Sequence, residues 1–229
     1  AIRTLGDTLF DTFADFYDRL SSGTAADDLS TVAMGRRALR NRTLQYLVAS
    51  GRPDGLKRAA AQVRDAASMS DVMGALAALN DTDCPERTEA LQAFHDRWRD
   101  NPLVLDKWFT LEATSTLPRT LARVRDLQSH PRFDPKNPNR IRALVGAFTM
   151  GNPVCFHARD GSGYGFIAGE VLRIDRLNPQ IASRLCQSLV RWRRFDSERA
   201  AAMTAALRRI VEEPKLSKDV YEIASKGLS

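Results

Sequence analysis

The sequence predicts an all-α fold, and both its composition and its apolar spacing point that way. Leucine and alanine together number 55 of the 229 residues, whereas valine and isoleucine, which strands favour, number only 19. Apolar side chains also recur at helical spacing along nearly the whole chain. These observations work against a β-sandwich and against a parallel α/β sheet, whose strands need β-branched runs.

The N-terminal helices are predicted from this spacing. Apolar residues from Leu5 through Leu9 to Leu20 fall on one face of a first helix, opposite a row of aspartates. Ser70 has the side chain of an N-cap for a helix that follows it. Beyond the first helix, the pattern predicts helices at 30–49, 53–67 and 71–79.

Asn-Pro steps mark where later helices begin. Asn101-Pro102, Asn137-Pro138 and Asn178-Pro179 each precede a helical pattern, since Asn caps free N–H groups and proline suits the first helical position. The steps recur about 40 residues apart, which is the length of a helix pair in helical-repeat proteins. We therefore expect one domain over residues 1–229, an α-solenoid of irregular helix pairs forming an armadillo- or HEAT-like superhelix.

The C-terminal half continues this pattern around one glycine-rich segment. Residues 160–163 are interpreted as a turn that leads into a helix near 164–177. Further apolar faces predict helices over 117–127, 181–192 and 203–211.

Charge is concentrated in the second half of the chain. The net charge is +6, yet residues 1–34 carry −4 and residues 119–199 carry +8, with 28 arginines and 6 lysines overall. Arginine-rich regions suit carboxylate or phosphate partners. One hypothesis is therefore a stand-alone solenoid that binds proteins or nucleic acid. Acidic residues interleave with the arginines, however, so a solvated face is favoured, with Arg191, Arg193 and Arg194 paired to Asp196.

The sequence contains no self-sufficient catalytic motif. HExxH, G-x-S-x-G and P-loop patterns are absent, so we expect no catalytic residue, metal ligand or cofactor site in this chain. Cys155 and His157 are interpreted as part of a half-buried loop with a hydrogen-bonded histidine. Three widely spaced cysteines indicate reduced thiols in a cytoplasmic protein, and no apolar run is long enough to cross a membrane.

Several long strings carry a family resemblance. The segments NPLVLDKWFTLEAT, NPNRIRALVGAF, GNPVCFHARDGSGYGFIA, RLNPQIASRL, RWRRFD and SKDVYEIASKGL closely resemble the C-terminal end of bacterial-type aminopeptidase N. That family consists of zinc-dependent gluzincin aminopeptidases. The resemblance implies a helical-repeat domain that forms the C-terminal segment of a larger aminopeptidase, and it implies a structural role for Trp108, packed between repeats.

The resemblance also implies a function. The family's zinc site belongs to an upstream catalytic domain, so this chain would not hydrolyse peptides alone. Its implied role is to cap the catalytic chamber, limit access to it and bind peptide substrates during peptide catabolism. Arg142 and Arg184 match the family's chamber-facing arginines and would bind the distal end of a peptide. The implied partners are the upstream domain and peptides, without nucleic acid or membrane.

Overall fold

The computed structural model describes residues 1–22, 25 and 27–229 of the chain. Every regular element in these ranges is helical, which confirms the all-α prediction. The chain divides into two compact units, Ala1–Asn101 and Pro102–Ser229, which we call the N-terminal and C-terminal units and describe separately. Within the described ranges, no helix is both long and apolar enough to cross a membrane.

The N-terminal unit is built around one long helix. α3 is central because it packs against α1, α2, α4 and α5. Serine side chains cap two of the helices: Ser30 accepts the N–H of Ala33 at the start of α3, and Ser68 accepts the N–H of Asp71 in α5. The predicted cap at Ser70 is therefore wrong by two residues. The helices are α1 Ile2–Thr8, α2 Phe10–Ser21, α3 Thr31–Ala49, α4 Pro53–Asp65, α5 Met69–Leu79 and α6 Pro85–Trp98.

The first predicted helix is broken into two. Leu9 separates α1 from α2, and its side chain remains exposed together with that of Leu5. The contact that matters in α1 is made by Gly6, where any Cβ atom would collide with the carbonyl oxygen of Tyr46 in α3. A backbone-to-backbone contact of this kind leaves no apolar periodicity in the sequence, so the pattern gave the wrong buried face.

The C-terminal unit contains the remaining helices. α12, α13, α14 and α15 pack on one another, while α7 packs on α8, on α10 and on the segment between α9 and α10. The helices are α7 Pro102–Thr114, α8 Thr120–Leu127, α9 Pro138–Ile141, α10 Ala147–Gly151, α11 Pro153–Phe156, α12 Ser162–Asp175, α13 Pro179–Val190, α14 Ser197–Val211 and α15 Lys218–Leu228. A 3₁₀ turn, Trp192–Arg194, joins α13 to α14.

Asn-Pro steps start helices as predicted. A further Asn-Pro step, which the spacing did not indicate, also starts a helix. Asn137 and Asn178 cap α9 and α13 by accepting backbone N–H groups two and three residues further on. Asn152 caps the short α11 in the same way and is fully buried. Its side-chain amide also donates to the carbonyl oxygens of Ala113 and Ser115, so this cap ties α11 to the end of α7.

A π-helical segment, Arg142–Gly146, connects α9 to α10. The N–H of Ala147 returns to the carbonyl oxygen of Arg142, the five-residue spacing of a π turn. Thr110 of α7 supports this winding, since its hydroxyl lies 3.2 Å from the carbonyl oxygen of Ala143 and 2.9 Å from that of Asp106. The π segment places Arg142 at its first position, on the protein surface.

A candidate anion-binding groove

The C-terminal unit has a groove of about 620 Å³ between α10, α11, α13 and the 3₁₀ turn. Three arginines line it, Arg184, Arg191 and Arg194, and we call it the arginine groove. Its other lining side chains are either uncharged and polar or apolar, apart from one histidine. No carboxylate belongs to its lining in the part of the chain that the structure describes. The groove therefore presents positive charge to a ligand.

One face of α13 supplies most of the polar lining. Arg184, Gln187 and Ser188 lie on one face of α13 at i, i+3 and i+4, and the C-cap residue Arg191 continues this spacing at i+7. The opposite face is buried in the unit and carries Ala182, Leu185, Cys186 and Leu189. Because this apolar face packs into the unit, the polar face of α13 is left on the groove side.

The three arginines are exposed and make no ion pair or side-chain hydrogen bond with the rest of the described chain. Asp196, expected to pair with this cluster, instead contacts Arg199 at 2.6 Å, so that prediction is wrong. The same carboxylate accepts the N–H of Arg199 as the cap of α14, and these two bonds lower the pKa of Asp196. Asp196 is thus paired with Arg199 at the start of α14 and does not neutralise the positive charge of the groove arginines.

A fixed aromatic wall closes one side of the groove. The ring of His157 stacks on Phe195 with centroids 4.2 Å apart, and its Nδ1 lies 2.8 Å from the hydroxyl of Tyr164. The carbonyl oxygen of His157 also accepts a hydrogen bond from Nε of Arg199 at 2.7 Å. These contacts confirm the interpretation of a half-buried, hydrogen-bonded histidine and hold the wall before any ligand arrives.

The wall should respond to pH through His157. Burial lowers the pKa of His157 from its ordinary value of 6.5, and the nearby Arg199 lowers it further. The unfolded chain therefore binds the proton more readily, and the free energy of unfolding should fall as the pH drops below about 6.5. An NMR titration should give a pKa for His157 below 6.5. In urea unfolding experiments, the free energy of unfolding of His157→Gln should fall less than that of the unmodified chain as the pH drops below about 6.5. A titration midpoint at or above 6.5 would contradict this prediction.

The two sequence-predicted arginines lie in different places. Arg184 lines the arginine groove, whereas Arg142 does not. Arg142 instead lies along the helix face that leads to Met150, because a Cβ atom on Gly146 would stand 3.8 Å from the Cβ of Arg142 and 3.5 Å from the Cε of Met150. Met150 lines the groove, whereas Arg142 does not belong to its lining. The charge of Arg142 instead acts on Asp106, where it opposes the burial that raises the pKa of that carboxyl.

The side chains in the described ranges do not fit a metal centre. No group of three or more His, Cys, Asp or Glu side chains in the described ranges could hold a metal ion. The ring nitrogen Nδ1 of His157 is already used by Tyr164, and Cys155 places its sulfur 3.5 Å from the carbonyl oxygen of Leu117. His157 and Cys155 therefore do not fit a zinc site.

The fold defines an all-α helical-repeat domain. Residues 1–229 match the family model described as "Domain of unknown function (DUF3458_C) ARM repeats", and the chain belongs to this family. The mention of armadillo repeats agrees with the predicted α-solenoid of helix pairs.

Relatives of the chain carry the name that the resemblance suggested. Aminopeptidase N of Caulobacter vibrioides is 45% identical over 86% of this chain and 23% of its own length. Aminopeptidase N of Escherichia coli is 38% identical over 99% of this chain and 26% of its own length. Aminopeptidase N of Haemophilus influenzae is 34% identical over 98% of this chain and 25% of its own length. The chain therefore spans about a quarter of the length of these relatives.

A solved structure extends the similarity to three dimensions. The crystal structure of Legionella pneumophila aminopeptidase A in complex with aspartic acid matches with a TM-score of 0.89 and 29% identity. The match covers 99% of this chain and 27% of that one. The resemblance to the aminopeptidase N family is thereby confirmed.

Proposed function

We propose that the chain is the C-terminal domain of a zinc-dependent aminopeptidase, where it caps the catalytic chamber and binds the distal end of peptides. The relatives named aminopeptidase N, of which the chain spans about a quarter, support this proposal. The observation that carries the binding role is Arg184, exposed in the arginine groove without a carboxylate partner in the described chain. A stand-alone protein- or nucleic-acid-binding module is not favoured, because the matched relatives are much longer aminopeptidases.

The groove residues would bind and orient a peptide while an upstream domain supplies zinc for hydrolysis. The guanidinium of Arg184 can donate two parallel hydrogen bonds to a peptide's C-terminal carboxylate. Gln187 and Ser188, on the same face of α13, can hydrogen-bond the adjoining backbone. Arg142, at the start of the π segment, would offer a second contact for a longer peptide. Fixing the distal end limits the orientations that a peptide can adopt in the chamber.

The proposal includes the location and physiological role of the parent enzyme. We assign it to peptide catabolism in the cytoplasm. The cysteines Cys84, Cys155 and Cys186 are free thiols, which suits a reducing compartment.

Substitution of Arg184 in the parent enzyme tests the binding role. We expect Arg184→Gln to raise KM for a tetrapeptide about 5–10-fold, because a charge-assisted hydrogen bond at an exposed site is lost. KM for an aminoacyl arylamide should stay unchanged, since that substrate has no distal carboxylate. Arg142→Gln is measured in parallel and should raise KM for the peptide alone.

Arg193→Gln is the matched control. Arg193 lies near the groove in sequence, but its guanidinium stacks over the ring of Trp192 at 4.2 Å and does not line the groove. Equal increases in KM for the peptide and the arylamide in Arg184→Gln would remove the carboxylate role. Release of N-terminal amino acids by the purified 229-residue chain alone would contradict the assignment of catalysis to an upstream domain.

A further inference from the structure

The arginine groove carries more positive charge than one carboxylate would neutralise. Its lining contributes three guanidinium groups and no acid, and none of the three is paired within the described chain. A monoanionic ligand held by Arg184 would leave Arg191 and Arg194 without a counter-charge. The groove is therefore matched in charge to a ligand with at least two negative groups.

The positions of the arginines divide them into two sets. Arg184 lies on α13 and Arg191 is the C-cap residue just after its end, seven positions further on, so their Cα atoms are separated by about 10 Å along the helix axis. Arg194 follows in the 3₁₀ turn, next to Arg191 rather than Arg184. One anionic group can therefore be held at Arg184, and a second at the end of the groove that Arg191 and Arg194 share.

The rest of the lining is apolar enough to accept a peptide side chain. Met150 and Val190 line the groove together with the stacked ring of Phe195. Burial and the nearby Arg199 lower the pKa of His157, which disfavours the charged form of its ring. The groove thus combines unpaired guanidinium groups with an apolar wall, which favours a short acidic peptide over an inorganic anion, because only the peptide can also contact the apolar wall.

We propose that the arginine groove selects peptides whose last residue is aspartate or glutamate. Arg184 holds the main-chain carboxylate, and Arg191 and Arg194 hold the carboxylate of the last side chain. The residue before it lies against Phe195. This proposal rests on the proposed function and adds the class of peptide that the groove prefers.

Direct binding to the 229-residue chain tests the preference. N-terminally labelled Ala-Ala-Leu-Glu is compared with Ala-Ala-Leu-Gln, which has the same shape but a neutral last side chain, using fluorescence anisotropy. We expect the glutamate peptide to bind about 10-fold more tightly at low salt, with the difference shrinking as salt rises. The ratio should fall below about 2-fold in an Arg191→Gln, Arg194→Gln double variant and be retained in Arg193→Gln.

Further measurements distinguish a failure of the glutamate preference from a failure of the proposed carboxylate role of Arg184. Ala-Ala-Leu-Glu with an amidated C-terminus tests the contact of Arg184 with the main-chain carboxylate. If the amidated peptide binds as tightly as the free acid, Arg184 does not bind that carboxylate. The glutamate preference is judged from the comparison of the glutamate and glutamine peptides. Equal affinities for the glutamate and glutamine peptides would overturn the further proposal while leaving the carboxylate role intact. Binding of tripolyphosphate without any glutamate preference would also overturn it.

The charge-retaining Arg191→Lys, Arg194→Lys double variant guards against a folding defect. Its circular dichroism spectrum and melting temperature should match those of the unmodified chain. We expect it to keep a measurable preference for the glutamate peptide, because both charges remain although the bidentate geometry is lost. Complete loss of the preference in this variant, with its fold intact, would contradict a role for charge at these two positions.

Discussion

Arg140→Met is expected to lower the free energy of unfolding by about 3 kcal/mol, because it leaves a partly buried carboxylate without its nearest cation. Arg140 is only 5% exposed, and its Nη1 lies 2.7 Å from Oδ1 of Asp106. Burial raises the pKa of Asp106, whereas Arg140 and Arg142 act in the opposite direction. Methionine fills similar space beside Phe109 but cannot supply the charge. Urea unfolding at pH 7 measures the effect.

The pH dependence of this variant separates charge from packing. Without Arg140, the pKa of Asp106 should rise further above its ordinary value, so the folded state binds a proton that the unfolded chain releases. The deficit relative to the unmodified chain should therefore shrink as the pH falls from 7 toward 4.5. The double variant Asp106→Asn, Arg140→Met should recover most of the lost stability. A deficit that is the same at both pH values and in both variants would show that packing alone is responsible.

Trp108→Ala is expected to cost about 3–5 kcal/mol, the usual range for emptying the space of a buried tryptophan. Trp108 is 4% exposed, and its ring contacts Phe109 at 5.2 Å and His130 at 5.6 Å between centroids. The guanidinium of Arg123 lies 5.7 Å from the same ring. The side chain thus joins α7, α8 and the segment after α8, so its loss should loosen all three.

Trp98→Ala is the matched control for this prediction. Trp98 ends α6 in the N-terminal unit, is only half-buried and lies beneath the guanidinium of Arg97. Its removal should therefore cost far less than removal of Trp108. Unfolding followed by circular dichroism at 222 nm avoids relying on tryptophan fluorescence. Similar losses in the two variants would argue against Trp108 as a central packing residue of its unit.

Helix starts were predictable where a cap is followed by a long helical run: α9 continues through the π segment into α10 after Asn137, and α13 follows Asn178. Asn137 and Asn178 satisfy local N–H groups, and that requirement is visible in sequence. Asn152 makes the same cap, but α11 is a single turn and leaves no periodic pattern to reveal it. The buried face of α1 was missed for a different reason: Gly6 has no side chain, and its close backbone contact with Tyr46 carries no hydropathy signal.

The candidate site was predictable only in part. Arg184 was named through the family resemblance, whereas Arg191 and Arg194 were assigned to Asp196 because they are near it in sequence. The structure instead pairs Asp196 with Arg199 one turn further on, which leaves the two groove arginines unpaired in the described chain. The i, i+7 spacing of Arg184 and Arg191 was the signal that could have joined them, since it places both on one helix face.

The direction of the Arg142 side chain depends on the number of residues in the π segment that begins with it. A π turn holds one residue more than the α turn it replaces, so Arg142–Gly146 amounts to a single-residue insertion in an otherwise continuous helix. Deleting one residue there would restore regular winding and rotate Arg142 by about 100° relative to Met150. Evolution could therefore redirect this guanidinium by gaining or losing one codon, with the arginine itself unchanged. A one-residue gap between related chains at this point marks a change in direction, which comparison of residue types alone would overlook.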